Sequence, residues 1–237
     1  MAKNNPFQFE TAKQPKVALV YDRVNTSYGG AEQVLKALRI CFPEAPLFTS
    51  VYDQDQAKWA KDFAVKTSFL QKIPGAAKHH RLLVPLMPLA YELLDLSDYD
   101  IVISISSAEA KGILTKPQQL HICYLLTPSR YLYSHHQEYL ETLPKLFQFL
   151  SKPAFHYLKL WDQVAAFRPD VIIPISKLIA ERAEEYYGHP EITEPIYPPV
   201  EPFQEVKKEN SQKKLSEKFA LQFGRLVDYK RFDVTIE

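Results

Sequence analysis

The sequence has few cysteines and almost no net charge. Cys41 and Cys123 are its only cysteines, and they lie far apart without the spacing of a metal-binding motif. This pattern indicates a reducing compartment and no disulfide framework. The formal net charge of +1 excludes a global electrostatic field that would hold nucleic acid. We therefore expect a cytoplasmic protein that does not bind nucleic acid.

The sequence also lacks a long apolar run. No apolar segment is long enough to span a membrane, and the N-terminal residues lack the apolar centre of a signal peptide. The segment 61–81 interleaves Lys, His and Arg with Phe, Leu and Ile. This pattern fits contact with anionic lipid, although a solvated basic face is its commoner meaning. Peripheral contact with the inner membrane face is therefore an expectation that the sequence leaves open.

Glycine is scarce, with six residues against eighteen prolines, so each glycine is expected where the backbone requires one. Gly29 and Gly30 lie between a predicted strand at 16–21 and a helix that opens at Ala31. The N–H groups and dipole of a helix start form a site for anions or hydroxyl groups, and Glu32 in the first turn would complement the dipole. A tight turn with positive φ explains the two glycines equally well.

Short apolar runs alternate with amphipathic or polar segments along the chain. Buried strands are predicted at 16–21, 99–104, 120–125 and 170–175, and further strands at 46–51 and 64–66. Strands that alternate with helices favour an α/β fold with a Rossmann-like, doubly wound parallel sheet. The aromatic-rich segment 139–167 predicts two helices broken at Pro153, and a further helix is predicted from about Asp53.

The prolines of 196–202 predict an extended path out of this first domain. We therefore assign residues 1–203 to an N-terminal domain, 204–218 to a charged crossing segment, and 219–237 to the start of a second domain. A strand at 219–223 and a helix near Tyr229 cannot bury a core alone, so the second domain is expected to be truncated.

A glycine and two cations form a second group of interest. Gly224 ends the strand predicted at 219–223, Arg225 follows it, and Lys230 comes five residues later near a helix start. Two cations in this setting fit a diphosphate, whose developing charge they would stabilise without a metal. Ordinary surface charge on a loop is the alternative.

Metal and dinucleotide sites are weaker hypotheses. The histidine pairs at 79–80 and 135–136 lack further ligands for a metal, so no metal site is predicted. A nicotinamide-dependent oxidoreductase remains as an alternative because the order of strands and helices permits it. However, Ala31 and Val34 occupy the positions where the glycine-rich fingerprint after Gly29 requires glycine, and Asp53 is better explained as a helix N-cap.

Six segments carry a family resemblance, in the same order and over nearly the whole chain. They are DRVNTSYGGAEQVL (22–35), YDIVISISSAEAKGI (99–113), HICYLLTPSRYLY (121–133), RPDVIIPISKLIAERAEEYYG (168–188), IYPPVE (196–201) and FALQFGRLVDYKRFD (219–233). Together they resemble family 4 glycosyltransferases of the GT-B fold. Within that family they look most like the mannosyltransferase-like enzymes of bacterial surface-polysaccharide synthesis.

The resemblance implies a retaining hexosyltransferase that moves a hexose, with mannose from GDP-mannose as the candidate, to a glycan or lipid-linked acceptor. It implies an acceptor-side N-terminal domain, a C-terminal domain that binds the nucleotide sugar, and no cofactor or obligatory metal. No catalytic residue is assigned, and the chain alone is expected to be inactive. The site residues implied are Gly29, Gly30, Glu32 and Arg130 in the cleft or on the acceptor side, and Gly224, Arg225 and Lys230 at the donor diphosphate.

Two positions depart from the family pattern. Leu126 stands where members with the pattern H-T-P-x-R-Y have a histidine near the reacting sugar. Ile175 stands where an asparagine commonly precedes the serine that begins the helix, here Ser176. A non-catalytic glycan-binding protein, or a degenerate glycosyltransferase-like protein, is therefore the alternative function.

Overall fold

The structure is a computed structural model that describes most of the chain. The described residues are 14–141, 145, 148, 151–188, 192–200, 221–222, 224 and 232–236. The chain divides into two compact units, Met1–Val200 and Glu201–Glu237. Within the described ranges, no helix combines the length and apolarity needed to cross a bilayer.

A parallel sheet forms the centre of the first unit. In the described part of the chain it has six strands, which are β1 (Val17–Tyr21), β2 (Leu47–Thr49), β3 (Val65–Thr67), β4 (Ile101–Ser106), β5 (Leu120–Leu125) and β6 (Val171–Pro174). All neighbouring strands are parallel, and their spatial order is β3-β2-β1-β4-β5-β6. The predicted α/β class with a parallel sheet is confirmed, and the order is consistent with a Rossmann-like fold.

Helices connect and cover these strands. In the first unit, the helices whose bounds lie within the described residues are α1 (Gly30–Cys41), α2 (Met87–Glu92), α3 (His136–Glu141), α4 (Lys152–Ala165) and α5 (Lys177–Tyr187). Short 3-10 helices occupy Lys58–Asp62, Phe69–Lys72, His80–Leu86 and Ala110–Gly112. Pro153 lies in the first turn of α4. Lys145 and Gln148 are helical and Ser151 lies in a turn, so the predicted break at Pro153 is confirmed to within two residues, and the missing N–H of Pro153 costs nothing at a helix start.

The segment after β2 corrects one helix prediction. Asp53 does not cap a helix, since its Oδ1 atom accepts from the backbone N–H groups of Asp55 (3.1 Å) and Gln56 (3.2 Å). This arrangement is a local turn cap, which competes with helix formation. The 3-10 helix begins only at Lys58.

The core lies on both faces of the sheet, because β1 is buried along its whole length. Leu19 belongs to a hydrophobic cluster that includes Leu35 of α1. Val20 belongs to a second cluster that includes Met87 of α2. Alternate residues of a strand point to opposite faces, so one apolar run serves both layers. Full burial of each such side chain contributes roughly 2 kcal/mol to folding.

The two cysteines are both free thiols. Cys41 is exposed at the end of α1, whereas Cys123 is buried in β5. Burial raises the pKa of the Cys123 thiol to about 12, so it stays protonated at neutral pH. Neither cysteine takes part in a disulfide, as expected from the sequence.

The second unit is described only at a few residues. Leu221 and Gln222 are not in a strand, which corrects the strand prediction at those two positions, and the rest of 219–223 lies outside the described residues. Helix α6 (Phe232–Ile236) follows. The domain boundaries predicted at 203 and 218 remain predictions.

Candidate functional site

The loops that follow the strands meet at one end of the sheet, because all six strands run in the same direction. The order of connection reverses between β1 and β4. In doubly wound sheets such a reversal places a crevice outside the carboxyl ends of the two strands, and we call this position the crevice. Ligands of doubly wound sheets bind in such a crevice. Six polar residues gather there, and we call them the switch-point cluster: Asp22, Arg23, Asn25, His80, Glu109 and Tyr131.

Asp22 is buried and fixes the loop after β4. Its Oδ2 atom accepts from the backbone N–H (2.6 Å) and the hydroxyl (2.9 Å) of Ser107, and its Oδ1 atom accepts from the N–H of Ala110 (2.8 Å). The carbonyl oxygen of Asp22 accepts from the hydroxyls of Ser50 and Tyr91. Asp22 therefore holds the loops after β1, β2 and β4 in one arrangement.

Glu109 is the hub of the cluster, with a side chain that is only 1% exposed. Its Oε2 atom accepts from Arg23 Nη2 at 2.5 Å, and its Oε1 atom accepts from the Tyr131 hydroxyl at 2.6 Å. Burial raises the pKa of Glu109, although the positive charge of Arg23 opposes this effect. Glu109 thus joins the loops that follow β1, β4 and β5.

The charge of the Glu109 carboxylate raises the pKa of both Arg23 and Tyr131. Burial on its own would lower the pKa of Arg23, but the charges of Glu109 and Asp22 outweigh it and raise that pKa. Burial, followed by the charge of Glu109, raises the pKa of Tyr131 well above its ordinary value. At neutral pH the guanidinium is therefore charged and the phenol is protonated.

Asn25 and His80 form the other side of the cluster. Asn25 Nδ2 lies 2.8 Å from the carbonyl oxygen of Ala77 and 2.9 Å from His80 Nδ1. The carbonyl can only accept, so Asn25 presents its amide nitrogen here. His80 Nδ1 also lies 3.2 Å from the carbonyl oxygen of Ala77. Burial, and then the charge of Arg23, lowers the pKa of His80, so the ring is neutral at neutral pH.

The two glycines of the first loop do not adopt a left-handed backbone. Gly29 is extended, with φ of −154°, and precedes α1, whereas Gly30 is the first residue of that helix. Neither has a positive φ, so the tight-turn explanation is wrong for both. A Cβ atom at Gly29 would lie 3.0 Å from Glu32 Oε2, but a Cβ atom at Gly30 would meet no described atom within 4 Å. Of these two glycines, Gly30 is therefore the one that faces open space.

Glu32 is buried beneath this loop rather than exposed in the crevice. Its Oε1 atom accepts from the Tyr21 hydroxyl at 2.9 Å. Burial, followed by the charge of Glu32, raises the pKa of Tyr21 well above its ordinary value. Glu32 lies in the first turn of α1, as the sequence predicts, and its position anchors that helix to β1.

Arg130 lies in the loop after β5, next to Tyr131, and is half-buried. Its carbonyl oxygen accepts from the N–H of His135 at 2.9 Å. The loop after β5 begins at the same end of the sheet as the loop that contains Gly30. Arg130 therefore follows β5, and Gly29 and Gly30 follow β1 at the start of α1, while their part in an acceptor site stays a prediction.

The two positions that depart from the family pattern are packed. Leu126 packs against the hydrophobic cluster that contains Tyr21. Ile175 packs against that cluster and against a third one formed by residues of β5, β6 and α5. Ser176 caps α5 by accepting from the N–H of Ile179 at 3.4 Å, so it begins this helix as predicted.

Sequence reasoning missed a buried ion pair beneath these loops. Lys111 and Asp162, on α4, are each 1% exposed and pair directly through Nζ and Oδ1. Lys111 Nζ also donates to the carbonyl oxygen of Ala108 at 2.7 Å, and the Ser129 hydroxyl donates to Asp162 Oδ1 at 2.8 Å. Nothing in the sequence distinguishes this lysine from one on a surface loop. Through these bonds the pair connects the loops after β4 and β5 to α4.

Part of the predicted site lies outside the described residues. Arg225 and Lys230 are not described, so their pairing with a diphosphate stays a prediction. Gly224 is exposed and has φ of 150°, a conformation that favours glycine. Among the described residues, no group of three or more His, Cys, Asp or Glu side chains is arranged to hold a metal ion.

Comparison with protein-family models finds no match, and comparison with curated proteins also finds none. The description of the fold and of the crevice therefore uses this chain alone. What they establish is an α/β protein with a parallel sheet, in which polar side chains join the loops that follow β1, β4 and β5.

Proposed function

We propose that this chain forms the acceptor-side part of a retaining hexosyltransferase. It uses a nucleotide-sugar donor and a glycan or lipid-linked acceptor, in the synthesis of surface polysaccharide. One observation carries the proposal: four of the segments that resemble family 4 glycosyltransferases contain β1, β4, β5 or β6 or follow them directly. Their loops start from the end of the sheet where doubly wound folds bind ligands.

The chemistry of the crevice supports this proposal. Transfer from a nucleotide sugar requires that the acceptor hydroxyl be held against the donor and that charge on the leaving diphosphate be stabilised. Arg23 supplies a fixed positive charge at the crevice, and Arg130 lies on a neighbouring loop. Arg225 and Lys230 remain the proposed ligands of the diphosphate. In this proposal GDP-mannose is the donor, and no cofactor or obligatory metal takes part.

We place this enzyme in the cytoplasm, in peripheral contact with the inner membrane face. An exposed apolar face supports this placement. The exposed apolar side chains form two rows along the chain, Leu82, Leu86, Leu89 and Leu93 in the first and Tyr157, Leu160, Val164 and Phe167 in the second. The two segments contact each other, because Trp161 Nε1 donates to Glu92 Oε1 at 2.7 Å, and Glu92 also forms an ion pair with Arg168. Exposed apolar patches of this kind mark binding surfaces.

Basic residues beside this face favour an anionic lipid surface as its partner. Arg81 precedes the first row, and Lys152 and Lys159 lie on the helix of the second, all three exposed. Co-sedimentation with phosphatidylglycerol vesicles tests the placement. The variant Leu82→Ser/Leu93→Ser is expected to remain in the supernatant, and undiminished binding by that variant would contradict a role for this face.

Donor binding tests the catalytic proposal. We would titrate the complete gene product calorimetrically with GDP-, UDP- and ADP-sugars, and compare Arg225→Ala and Lys230→Ala with Lys58→Ala. Lys58 is exposed on a 3-10 helix and serves as the matched control. The expected result is that one donor binds, that both test variants lose it, and that the control keeps it. A folded protein that binds no donor would refute the catalytic proposal.

The packing of Leu126 favours a second candidate, a glycan-binding protein without catalysis. This side chain fills a core position where similar enzymes have a histidine, and so brings no titratable group to the reacting sugar. Under this alternative, the protein binds acceptor glycans on an array while the donor titration gives no heat. Donor turnover by the wild-type protein would exclude it.

A further inference from the structure

Two pockets lie beside the edge strand β3 and the loops that follow β2 and β3, and together we call them the edge groove. The first has a cavity volume of about 580 Å³ and is lined by Lys61 and by residues of β3. The second has a cavity volume of about 440 Å³ and is lined by residues 72–78. Tyr52, Gln54 and Gln71 line both pockets, so the two lie side by side. Each volume is in the range of ordinary ligand sites.

Hydrogen bonds hold the walls of the edge groove in place. The side chain of Gln71 accepts from the backbone N–H of Tyr52 at 2.7 Å and donates to the carbonyl oxygen of Tyr52 at 3.1 Å, which joins the loops after β2 and β3. The carbonyl oxygen of Ala77, in the wall of the second pocket, accepts from Asn25 Nδ2 at 2.8 Å. The second pocket therefore adjoins the loop after β1, and a ligand would meet walls that need little ordering on binding.

Lysines give the edge groove a positive lining. Among the described residues that line the two pockets, three are lysines and one is acidic: Lys61 in the first pocket, and Lys72, Lys78 and Asp53 in the second. The three lysines are exposed, and none of them forms a salt bridge with a described residue. Asp53 accepts from two backbone N–H groups of its own turn. The positive charge extends over both pockets, which favours a ligand with more than one acidic group.

The uncharged lining of the edge groove fits a sugar chain. The exposed amide of Gln54 can both donate and accept, as sugar hydroxyl groups require of a partner. Tyr52 is half-buried and adds an aromatic ring that offers an apolar surface. An acidic peptide fits less well, because β3 has only three residues and would give the backbone of an added strand few hydrogen bonds.

We infer that the edge groove binds an oligosaccharide that carries acidic groups, either carboxylates or phosphodiesters. Acidic groups of this ligand contact Lys61 in the first pocket and Lys72 and Lys78 in the second, while its hydroxyl groups bond to Gln54, which both pockets share. Assigning this oligosaccharide to the acceptor of sugar transfer rests on the proposed function, whereas the binding itself does not.

Calorimetric titration of the wild-type protein with matched oligosaccharides tests the inference. Tetragalacturonate supplies carboxylates, its methyl ester supplies the same sugar chain without charge, and a phosphodiester-linked mannose tetramer supplies phosphates. We expect at least one acidic probe to bind, and its affinity to fall as salt rises, because exposed charges are screened. The methyl ester is expected to bind about tenfold more weakly or worse. The acidic probe that binds more tightly identifies the kind of acidic group.

A triple variant tests whether the lysines of the edge groove hold the acidic groups. Lys61→Gln/Lys72→Gln/Lys78→Gln keeps a polar side chain at each position but removes the three charges. Because these side chains are exposed, the variant should fold, and circular dichroism checks that it does. Its affinity for the acidic probe is expected to fall about tenfold or more, to the level of the methyl ester.

A control variant with the same change in net charge separates the groove from the charge of the whole protein. Lys16→Gln/Lys58→Gln/Lys116→Gln removes three exposed lysines that line neither pocket. This variant is expected to bind the acidic probe within about threefold of wild type, because exposed charges at a distance are screened by salt. An equal loss in both triple variants would assign the binding to net charge and would overturn the inference.

Three further outcomes would overturn the inference. They are that neither acidic probe binds, that the methyl ester binds as tightly as the better acidic probe, and that hexaglutamate binds more tightly than both, which would assign the groove to an acidic peptide. Binding of an acidic oligosaccharide by a protein that binds no nucleotide sugar sustains the edge groove and refutes the proposed glycosyltransferase. Donor binding without oligosaccharide binding refutes the edge groove alone.

Discussion

The buried pair of Lys111 and Asp162 allows a quantitative test of how the crevice is supported. Both side chains are 1% exposed, and the pair is bonded to the loops after β4 and β5 through Ala108 and Ser129. Removing one partner leaves the other charge buried and unpaired in a low-dielectric interior. Asp162→Asn and Lys111→Met should therefore each destabilise the protein by about 3 to 5 kcal/mol.

The double variant Lys111→Met/Asp162→Asn should be more stable than either single variant. It leaves no unpaired charge, and the amide that replaces the Asp162 carboxylate would still accept from the Ser129 hydroxyl. What remains lost is the bond from Lys111 Nζ to the Ala108 carbonyl, which costs about 1 to 3 kcal/mol when the acceptor stays buried. The coupling energy between the two positions is therefore several kcal/mol.

Urea unfolding followed by circular dichroism measures these differences. With a slope of about 2 kcal/mol/M, a loss of about 4 kcal/mol moves the unfolding midpoint by about 2 M. The reasoning fails if the double variant loses as much stability as the two single variants together, since that result would mean that the two charges do not depend on each other.

Three further predictions use the same unfolding assay. Gly112→Ala should destabilise by about 1 to 3 kcal/mol, because the new Cβ would overlap the Trp161 ring, and an unchanged midpoint would contradict this packing. Burial lowers the pKa of His121 to about 4, so the folded state resists protonation of this ring. The neutral ring contributes fully to stability above pH 6.5, and this contribution declines as the pH falls towards 4. The expected loss between pH 7.5 and 5 is about 2 kcal/mol. His121→Gln should remove this part of the pH dependence, and its persistence would assign the effect to other groups. Gly29→Ala should destabilise the protein by about 1 kcal/mol, because the new Cβ would displace the buried carboxylate of Glu32. Gly30→Ala should be neutral or slightly stabilising, because Gly30 begins a helix and has open space around it. Equal effects of the two substitutions would contradict the different environments of the two glycines.

The strands could be predicted from the sequence because each is a short apolar run bounded by polar residues. The prediction at 120–125 coincides with β5, and that at 16–21 differs from β1 by one residue. The prediction at 46–51 was too long, since β2 ends at Thr49. Ser50 and Val51 are buried like strand residues, but they are buried by loops rather than by sheet pairing. A buried apolar run therefore predicts which residues belong to the core, but it does not predict where a strand ends.

The polar contacts could not be predicted, because they join residues that are far apart in the chain. Glu109 meets Arg23 across 86 residues, and Asp162 meets Lys111 across 51. Each of these residues, seen in sequence, is an ordinary charge in a loop or on a helix face. Only the order of strands in the sheet brings the loops together, and the sequence indicates that the strands are parallel without giving their order.

The two carboxylates of the crevice have different partners, and this difference separates the shape of the crevice from its charge. Asp22 accepts hydrogen bonds from backbone and hydroxyl donors of the loop after β4, and these bonds fix the path of that loop. Glu109 is paired with Arg23, so its charge fixes a cation at the crevice. Because the loop is already held by Asp22, Arg23 and Glu109 can change together without loss of the crevice itself. We therefore expect a joint change of Arg23 and Glu109 to alter the charge at the crevice, while the Asp22 network keeps the path of the loop after β4.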